Sequence, residues 1–154
     1  MYQIFLPLHS MFRWLVLIFL IVAIFRAYLG MFKKTTFLSI DHIISNITAK
    51  VVQIQFCIGV VLYTTSPLVK YFLYNFNEAI HLREIGFFGM EHITMMSIAV
   101  AVISIGSDKV RKATDDKQKY KVMAIWFTIG LLLILTSIPW SFSPLISRPN
   151  FRFF

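Results

Sequence analysis

Two histidines stand near the starts of two long apolar segments, and imidazole is a side chain that binds iron. His9 lies near the start of the first segment and His92 near the start of the third. An ionisable side chain is costly inside a bilayer, so its presence there indicates a functional site by default. If both segments cross a membrane in the same direction, the two imidazoles lie at one depth, roughly 6–8 Å below the surface at a helical rise of about 1.5 Å per residue. A pair of neutral imidazoles is a normal axial ligand set for haem iron.

Arginine residues near these histidines could bind the negative charges of a haem. Arg13 follows His9 by one helical turn and shares its face. An arginine inside a membrane needs an anionic partner, which would be a haem propionate or Glu91. Arg83, near the same membrane surface, is a second candidate for a propionate.

Other metal-binding side chains are weaker candidates. Met95 and Met96 follow His92 on the same helical face, and methionine can replace a histidine as an axial ligand, although packing is its usual role. His81 falls in a loop and His42 at the opposite membrane face.

The cysteine content limits how a haem could be attached. The sequence contains one cysteine, Cys57, and therefore no disulfide framework. No Cys-x-x-Cys-His motif is present, which excludes covalent c-type attachment. The cofactor predicted from the histidines is therefore a non-covalent haem b.

The composition indicates a membrane protein. Hydrophobic residues make up 58% of the 154-residue chain and charged residues only 14%, whereas soluble domains carry about 25% charged residues. A membrane-spanning helix needs about 20 apolar residues, so four spans with their loops use nearly the whole chain. We predict a single all-α domain over residues 1–154, an integral membrane four-helix bundle with up-down-up-down topology. The predicted spans are about residues 4–28, 43–64, 88–105 and 122–140.

Loop charges predict the orientation. The first and third connections are basic, the third with six basic and three acidic residues between Asp108 and Lys121, and the second has more acidic than basic residues. Positively charged loops remain in the cytoplasm, so both termini are expected outside, although Arg148 and Arg152 oppose this modestly. The net charge of +8 comes from residues that flank spans, which does not indicate nucleic-acid binding.

Two stretches are unusual for their positions. Asn46, Lys50 and Gln53 share one face of the second span, and we expect this face to point into the bundle or to the headgroups, with Lys50 reaching the cytoplasmic surface. The aromatic stretch from Tyr71 to Phe76 in the second connection predicts a short amphipathic segment at the outer interface that caps the bundle.

Short segments distributed over the chain add a resemblance. They read LHSMFRW from Leu8, GVVLY from Gly59, EHITMM from Glu91, and SIPW from Ser137 followed by Arg148 and Pro149. Together they resemble a family of small four-span bacterial inner-membrane proteins described as cytochrome b-like. The resemblance implies haem b between the first and third spans and no particular substrate. Members sometimes carry a histidine near the position of Gln53 to Gln55, and the glutamines here imply that a second haem is absent.

The expected function is that of a membrane b-type haem protein that carries single electrons near the outer face of a bacterial inner membrane. Its donor would be a quinol, and its acceptor a periplasmic redox protein or a larger complex. Homo-oligomers are compatible with this function. The alternative is a haem-free structural or assembly subunit, or a small-solute carrier, within a membrane complex. A membrane enzyme lacks support, because the sequence shows no nucleophile–base pair, no paired carboxylates within the spans and no phosphate-binding glycine loop.

Overall fold

A computed structural model describes residues 2–141 and 146 of the chain, and the described part contains only helices, turns and bends. The elements are α1 (Tyr2–Lys33), α2 (Ser39–Thr65), α3 (Pro67–Tyr74), α4 (Phe76–Ala79), α5 (Arg83–Gly86), a π-helical turn (Phe87–Glu91), α6 (His92–Lys112) and α7 (Asp116–Ser137). Arg148, Pro149 and Arg152 lie outside the described residues.

The predicted all-α membrane fold is confirmed. Four helical stretches of the described chain are long and apolar enough to cross a membrane: α1, α2, α7, and the continuous run of α5, the π turn and α6 over Arg83–Lys112. Large apolar side chains also point away from the bundle, among them Ile18, Ile21 and Phe25, which are 57%, 57% and 65% exposed. Such exposure is typical of a surface that faces lipid. The chain is therefore a multi-pass membrane protein.

The four long helices form an up-down-up-down bundle. α1 packs along α2 and α7, and α6 packs along the same two helices, so α1 and α6 are diagonally opposite. The starts of α1 and α6 meet the ends of α2 and α7 at one end, here called the histidine end. The other end, here called the basic end, carries Arg26, Lys33, Lys112 and Lys119.

Local signals explain where the helices begin and end. Asp41 accepts a hydrogen bond from the backbone N–H of Leu38 at 3.0 Å and so caps α2, and Asp115 caps α7 through the N–H of Gln118 at 2.9 Å. α7 ends at Ser137, three residues before the predicted end of the fourth span. The reason is Pro139, because a proline disfavours helical geometry in the residue before it.

The polar face predicted on the second span does not point into the bundle. Asn46, Lys50 and Gln53 are all exposed on the outside of α2. The core beside them is formed instead by small and apolar side chains such as Ala49 and Val52, which are 6% and 3% exposed.

The connection between α2 and α6 closes the histidine end. α3 buries Val69 and Phe72 and leaves Tyr74 exposed, as the aromatic pattern predicted for an amphipathic segment. The Phe72 ring lies so close to Gly89 that a Cβ there would be 2.3 Å from it. The Tyr63 hydroxyl donates to the Gly89 carbonyl at 2.8 Å, so α2, α3 and the π turn are held together.

Close packing of α6 on α7 gives a first prediction. Gly130 is buried, and a Cβ added to it would lie 2.3 Å from Cγ1 of Ile103, which is 0% exposed. Because overpacking a tight core costs about 1–3 kcal/mol, we expect Gly130→Val to lower the free energy of unfolding by about 2 kcal/mol. The measurement is denaturant unfolding of the purified protein in detergent micelles. Ile129→Val is the control, since Ile129 is 45% exposed on the same helix, and equal effects would contradict the prediction.

Candidate functional site

A cavity of about 200 Å³ lies between the four long helices at the histidine end and opens outward. Most of its wall is apolar, formed by Val16, Val52, Leu62, Ala99, Val100 and Ile134. The structure brings three of the predicted site residues to this wall: His9 and Arg13 from α1, and His92 from α6. The two imidazoles thus border one cavity from diagonally opposite helices.

Two backbone features position His92: the turn that precedes it and a carbonyl group of α7. The π-helical turn Phe87–Glu91 ends directly before it, and π turns inside helices frequently occur at functional sites. Its Nδ1 is 2.9 Å from the carbonyl oxygen of Ser137 in α7. The carbonyl can only accept, so Nδ1 carries the proton and Nε2 keeps the lone pair that a metal needs. A metal-bound histidine usually donates its other ring N–H to a carbonyl or carboxylate in this way.

His9 is positioned by α2. A Cβ placed on Gly59 would lie 3.2 Å from Cε1 of His9, so a larger residue there would require the ring to shift by a few tenths of an ångström. The side chain of Gln55 donates from Nε2 to the His9 carbonyl oxygen at 2.9 Å. Nδ1 of His9 and Oε1 of Gln55 are both buried and have no hydrogen-bond partner among the described residues. Buried polar atoms are rarely left in this state, and these two border a cavity that a ligand could fill.

Arg13 brings a positive charge to the same wall. Its guanidinium carbon lies 5.5 Å from the ring centre of Trp14 and 5.8 Å from that of Trp140. The two indole rings meet edge to face at 6.0 Å, and Trp140 donates from Nε1 to the Leu135 carbonyl at 3.0 Å. Trp140 therefore joins the end of α7 to α1 and holds the arginine beside the cavity.

Arg83 is not brought to the cavity. It pairs with Glu91 through Nη1 and Oε1, and both side chains are more than 40% exposed. The sequence suggested Glu91 as a partner of Arg13, and the structure pairs Glu91 with Arg83. Arg83 therefore does not border the candidate site.

Of the weaker metal-binding candidates, one borders the cavity and three do not. Met96 borders the cavity, whereas Met95 does not. His81 is exposed in the connection before α5, and the His42 ring packs on Phe37 at 4.7 Å at the basic end.

Sequence reasoning missed three contributors to the site. Gln55 and Gly59 lie one turn apart on α2, and the pattern Gln-x-x-x-Gly inside an apolar span was a signal that this face meets something other than lipid. Ser137 acts through its backbone carbonyl, and no residue type reveals such a role in advance.

No protein-family model matches the chain, and neither a curated protein nor a solved structure is detectably similar to it. The resemblance to cytochrome b-like proteins stays a hypothesis, and the site has to be judged by its own chemistry.

The side chains at the cavity suit a haem better than a bare metal ion. The described residues contain no group of three or more histidine, cysteine, aspartate or glutamate side chains able to hold a metal, whereas a zinc site usually needs three or four protein ligands. A haem brings its own equatorial nitrogens and needs only axial ligands from the protein. The apolar wall and the Arg13 charge suit its ring and its propionates. The cavity volume of about 200 Å³ is close to the roughly 150 Å³ that holds a benzene elsewhere, so a macrocycle would require side chains at the histidine end to move apart.

Proposed function

We propose that this protein is a membrane b-type haem protein that carries single electrons. One observation carries the proposal: His9 and His92, on diagonally opposite helices, border the same apolar cavity. When bound, a haem b would supply the one-electron couple of its iron.

Three side chains at the cavity would bind different parts of the haem. His92 would hold the iron through Nε2, because its Nδ1 proton is engaged by the Ser137 carbonyl. His9 would offer the second imidazole, held in place by the hydrogen bond from Gln55 Nε2 to its backbone carbonyl. Arg13 would pair with a haem propionate, and the apolar wall would keep water from that pair, which strengthens the attraction between the two charges.

The proposed location is the outer face of a bacterial inner membrane, with both termini outside. The clustering of basic residues at the end opposite the cavity supports this orientation, since positive loops remain in the cytoplasm. The cavity would then lie near the outer surface, within reach of a quinol in the lipid as donor. A periplasmic redox protein or a larger complex would be the acceptor.

The direct test is an absorption spectrum. Protein expressed in haem-replete cells and purified in mild detergent should be red, with a Soret band that shifts when dithionite is added. Pyridine haemochrome analysis should identify haem b in near-equal amount to the protein. A colourless preparation that stays colourless after incubation with hemin would overturn the proposal.

A second candidate function follows from a different observation. The exposed polar face of α2 suits a haem-free structural or assembly subunit, or a carrier of a small solute, within a membrane complex. In that case the purified protein is colourless, and the cavity at the histidine end is a packing defect or a solute site.

The charge of Arg13 gives a prediction about potential. A positive charge beside the haem stabilises the reduced state, which carries one more electron, so Arg13→Ala should lower the midpoint potential. Two unit charges about 15 Å apart at an effective dielectric constant of about 20 interact by roughly 1 kcal/mol, which corresponds to roughly 50 mV. Potentiometric titration of the Soret shift measures this change. Lys70→Ala is the control, since Lys70 is exposed on α3 and does not border the cavity, and equal midpoints for the two variants would count against the role of Arg13.

A further inference from the structure

A polar face runs along the outside of α2, separate from the cavity. Asn46, Lys50, Gln53 and Cys57 recur at helical spacing on one side of the helix, and all four are exposed. Lipid tails offer no hydrogen bonds, so polar side chains that face them are costly.

Within the described chain, only two of these polar side chains form hydrogen bonds with α6. The amide of Gln53 donates to the Ser104 hydroxyl at 2.9 Å, and the Ser107 hydroxyl donates to Oδ1 of Asn46 at 3.3 Å. These contacts tie two of the polar groups to α6. Between them Lys50 makes no ion pair within the described part of the chain.

The depth of Lys50 makes its charge unusual. α2 has 27 residues over Ser39–Thr65, and Lys50 is two residues from the midpoint of that range. The middle of a bilayer is about 15 Å from either edge of the hydrocarbon core, whereas a lysine side chain with its four-carbon stem reaches only about 6 Å. With α2 centred in the membrane, Lys50 would lie about 12 Å from the nearer edge of the hydrocarbon core, beyond the reach of its side chain, and its charge would need a partner at its own depth.

A second copy of this chain would not provide that partner. All seven acidic residues lie elsewhere: Asp41 is buried with Arg26, Asp108 is paired with Arg111 in the last turns of α6, Asp115 and Asp116 begin α7, and Glu78, Glu84 and Glu91 surround the connection at the histidine end. Two copies that met symmetrically on this face would place Lys50 against Lys50. Like charges at close range repel.

We infer that the outer face of α2, centred on Lys50, docks a transmembrane helix of a different protein that carries an aspartate or glutamate near the middle of the bilayer. The charge of Lys50 selects this helix, and the polar groups of Asn46 and Gln53 add hydrogen bonds around it. This inference does not depend on the haem proposal, because the face lies outside the bundle.

The test uses a defined transmembrane probe. The full chain, carrying Cys57→Ser and Thr114→Cys, is labelled with an acceptor dye at the exposed connection before α7 and reconstituted in phosphatidylcholine vesicles. Donor-labelled polyleucine helices with one central glutamate, or with leucine throughout, are added, and energy transfer measures their association. We expect the glutamate helix to associate about tenfold more tightly, as interhelical polar contacts in membranes allow.

Variants of the lysine decide the outcome. Lys50→Leu should reduce the preference for the glutamate helix to about one, Lys50→Arg should retain it, and Lys70→Leu should leave it unchanged. Lys50→Leu faces lipid and should keep the helical circular dichroism of the parent. Equal association of both probe helices, or a preference that survives Lys50→Leu, would overturn the inference. Energy transfer between two copies of the protein that Lys50→Leu abolishes would also overturn it, because the occupant would then be a second copy.

Discussion

Replacing His92 with alanine is expected to abolish the Soret band of the purified protein, and replacing His9 should do the same. Each substitution removes one of the two imidazoles that border the cavity. A haem held without covalent bonds depends on axial ligation and on the fit of its pocket. His92→Ala also releases the Ser137 carbonyl, so the end of α7 loses a contact to α6. The measurement is the ratio of Soret to protein absorbance after purification and hemin titration.

A histidine outside the cavity provides the control, because it distinguishes the loss of an iron ligand from a general effect of replacing a histidine. His81→Ala removes an exposed imidazole near the same end of the bundle and should leave the band intact. Circular dichroism and gel filtration show whether each variant keeps its helices and its size in detergent. A full Soret band in both cavity variants would exclude this pair of ligands, and loss of the band in His81→Ala would show that the assay reports something other than the cavity.

The fold was predictable because hydrophobicity alone requires it. Four apolar runs of membrane length leave no other way to satisfy the backbone than helices, and the short basic connections after the first and third runs predict antiparallel neighbours. The matched positions of His9 and His92 near the starts of alternate helices were enough to place both at one cavity, since alternate helices of an up-down bundle are diagonal.

The details of the site depend on contacts that sequence patterns do not encode. The π turn before His92 changes the angle at which that side chain leaves its helix, and nothing in the residues Phe87–Glu91 announces it. The carbonyl of Ser137 meets His92 only because Pro139 ends α7 at that level. Gln55 was given no part in the predicted site, yet it borders the cavity, while Gln53 two residues earlier faces outward.

Asp41 shows the same limit at the basic end. In the sequence it is one acidic residue in a basic connection, and solvation is the ordinary expectation. In the structure it is 0% exposed. Arg26 donates to its Oδ1 from Nε at 2.9 Å and from Nη2 at 2.7 Å, and the Tyr120 hydroxyl donates to Oδ2 at 2.9 Å. One carboxylate therefore connects α1, α2 and α7.

Replacing Asp41 with asparagine should consequently lower the free energy of unfolding by about 2–3 kcal/mol. Removing one partner of a buried ion pair costs about 3–5 kcal/mol, and the Arg26 side chain is 36% exposed, so water recovers part of that cost. Unfolding in mixed micelles with increasing dodecyl sulfate, followed by circular dichroism, measures the change.

Asp108→Asn is the appropriate comparison for this prediction. Asp108 pairs with Arg111 one turn away, and the two side chains are 60% and 65% exposed, so its loss should cost less than about 0.5 kcal/mol. The double variant Arg26→Leu with Asp41→Asn removes the stranded cation and should regain part of the stability lost in Asp41→Asn. Similar costs for the two single variants, or no recovery in the double variant, would mean that the carboxylate contributes through its shape and not through its charge. Because Asp41 lies at the opposite end from the cavity, these variants should leave the Soret band intact while they destabilise the bundle that positions both histidines.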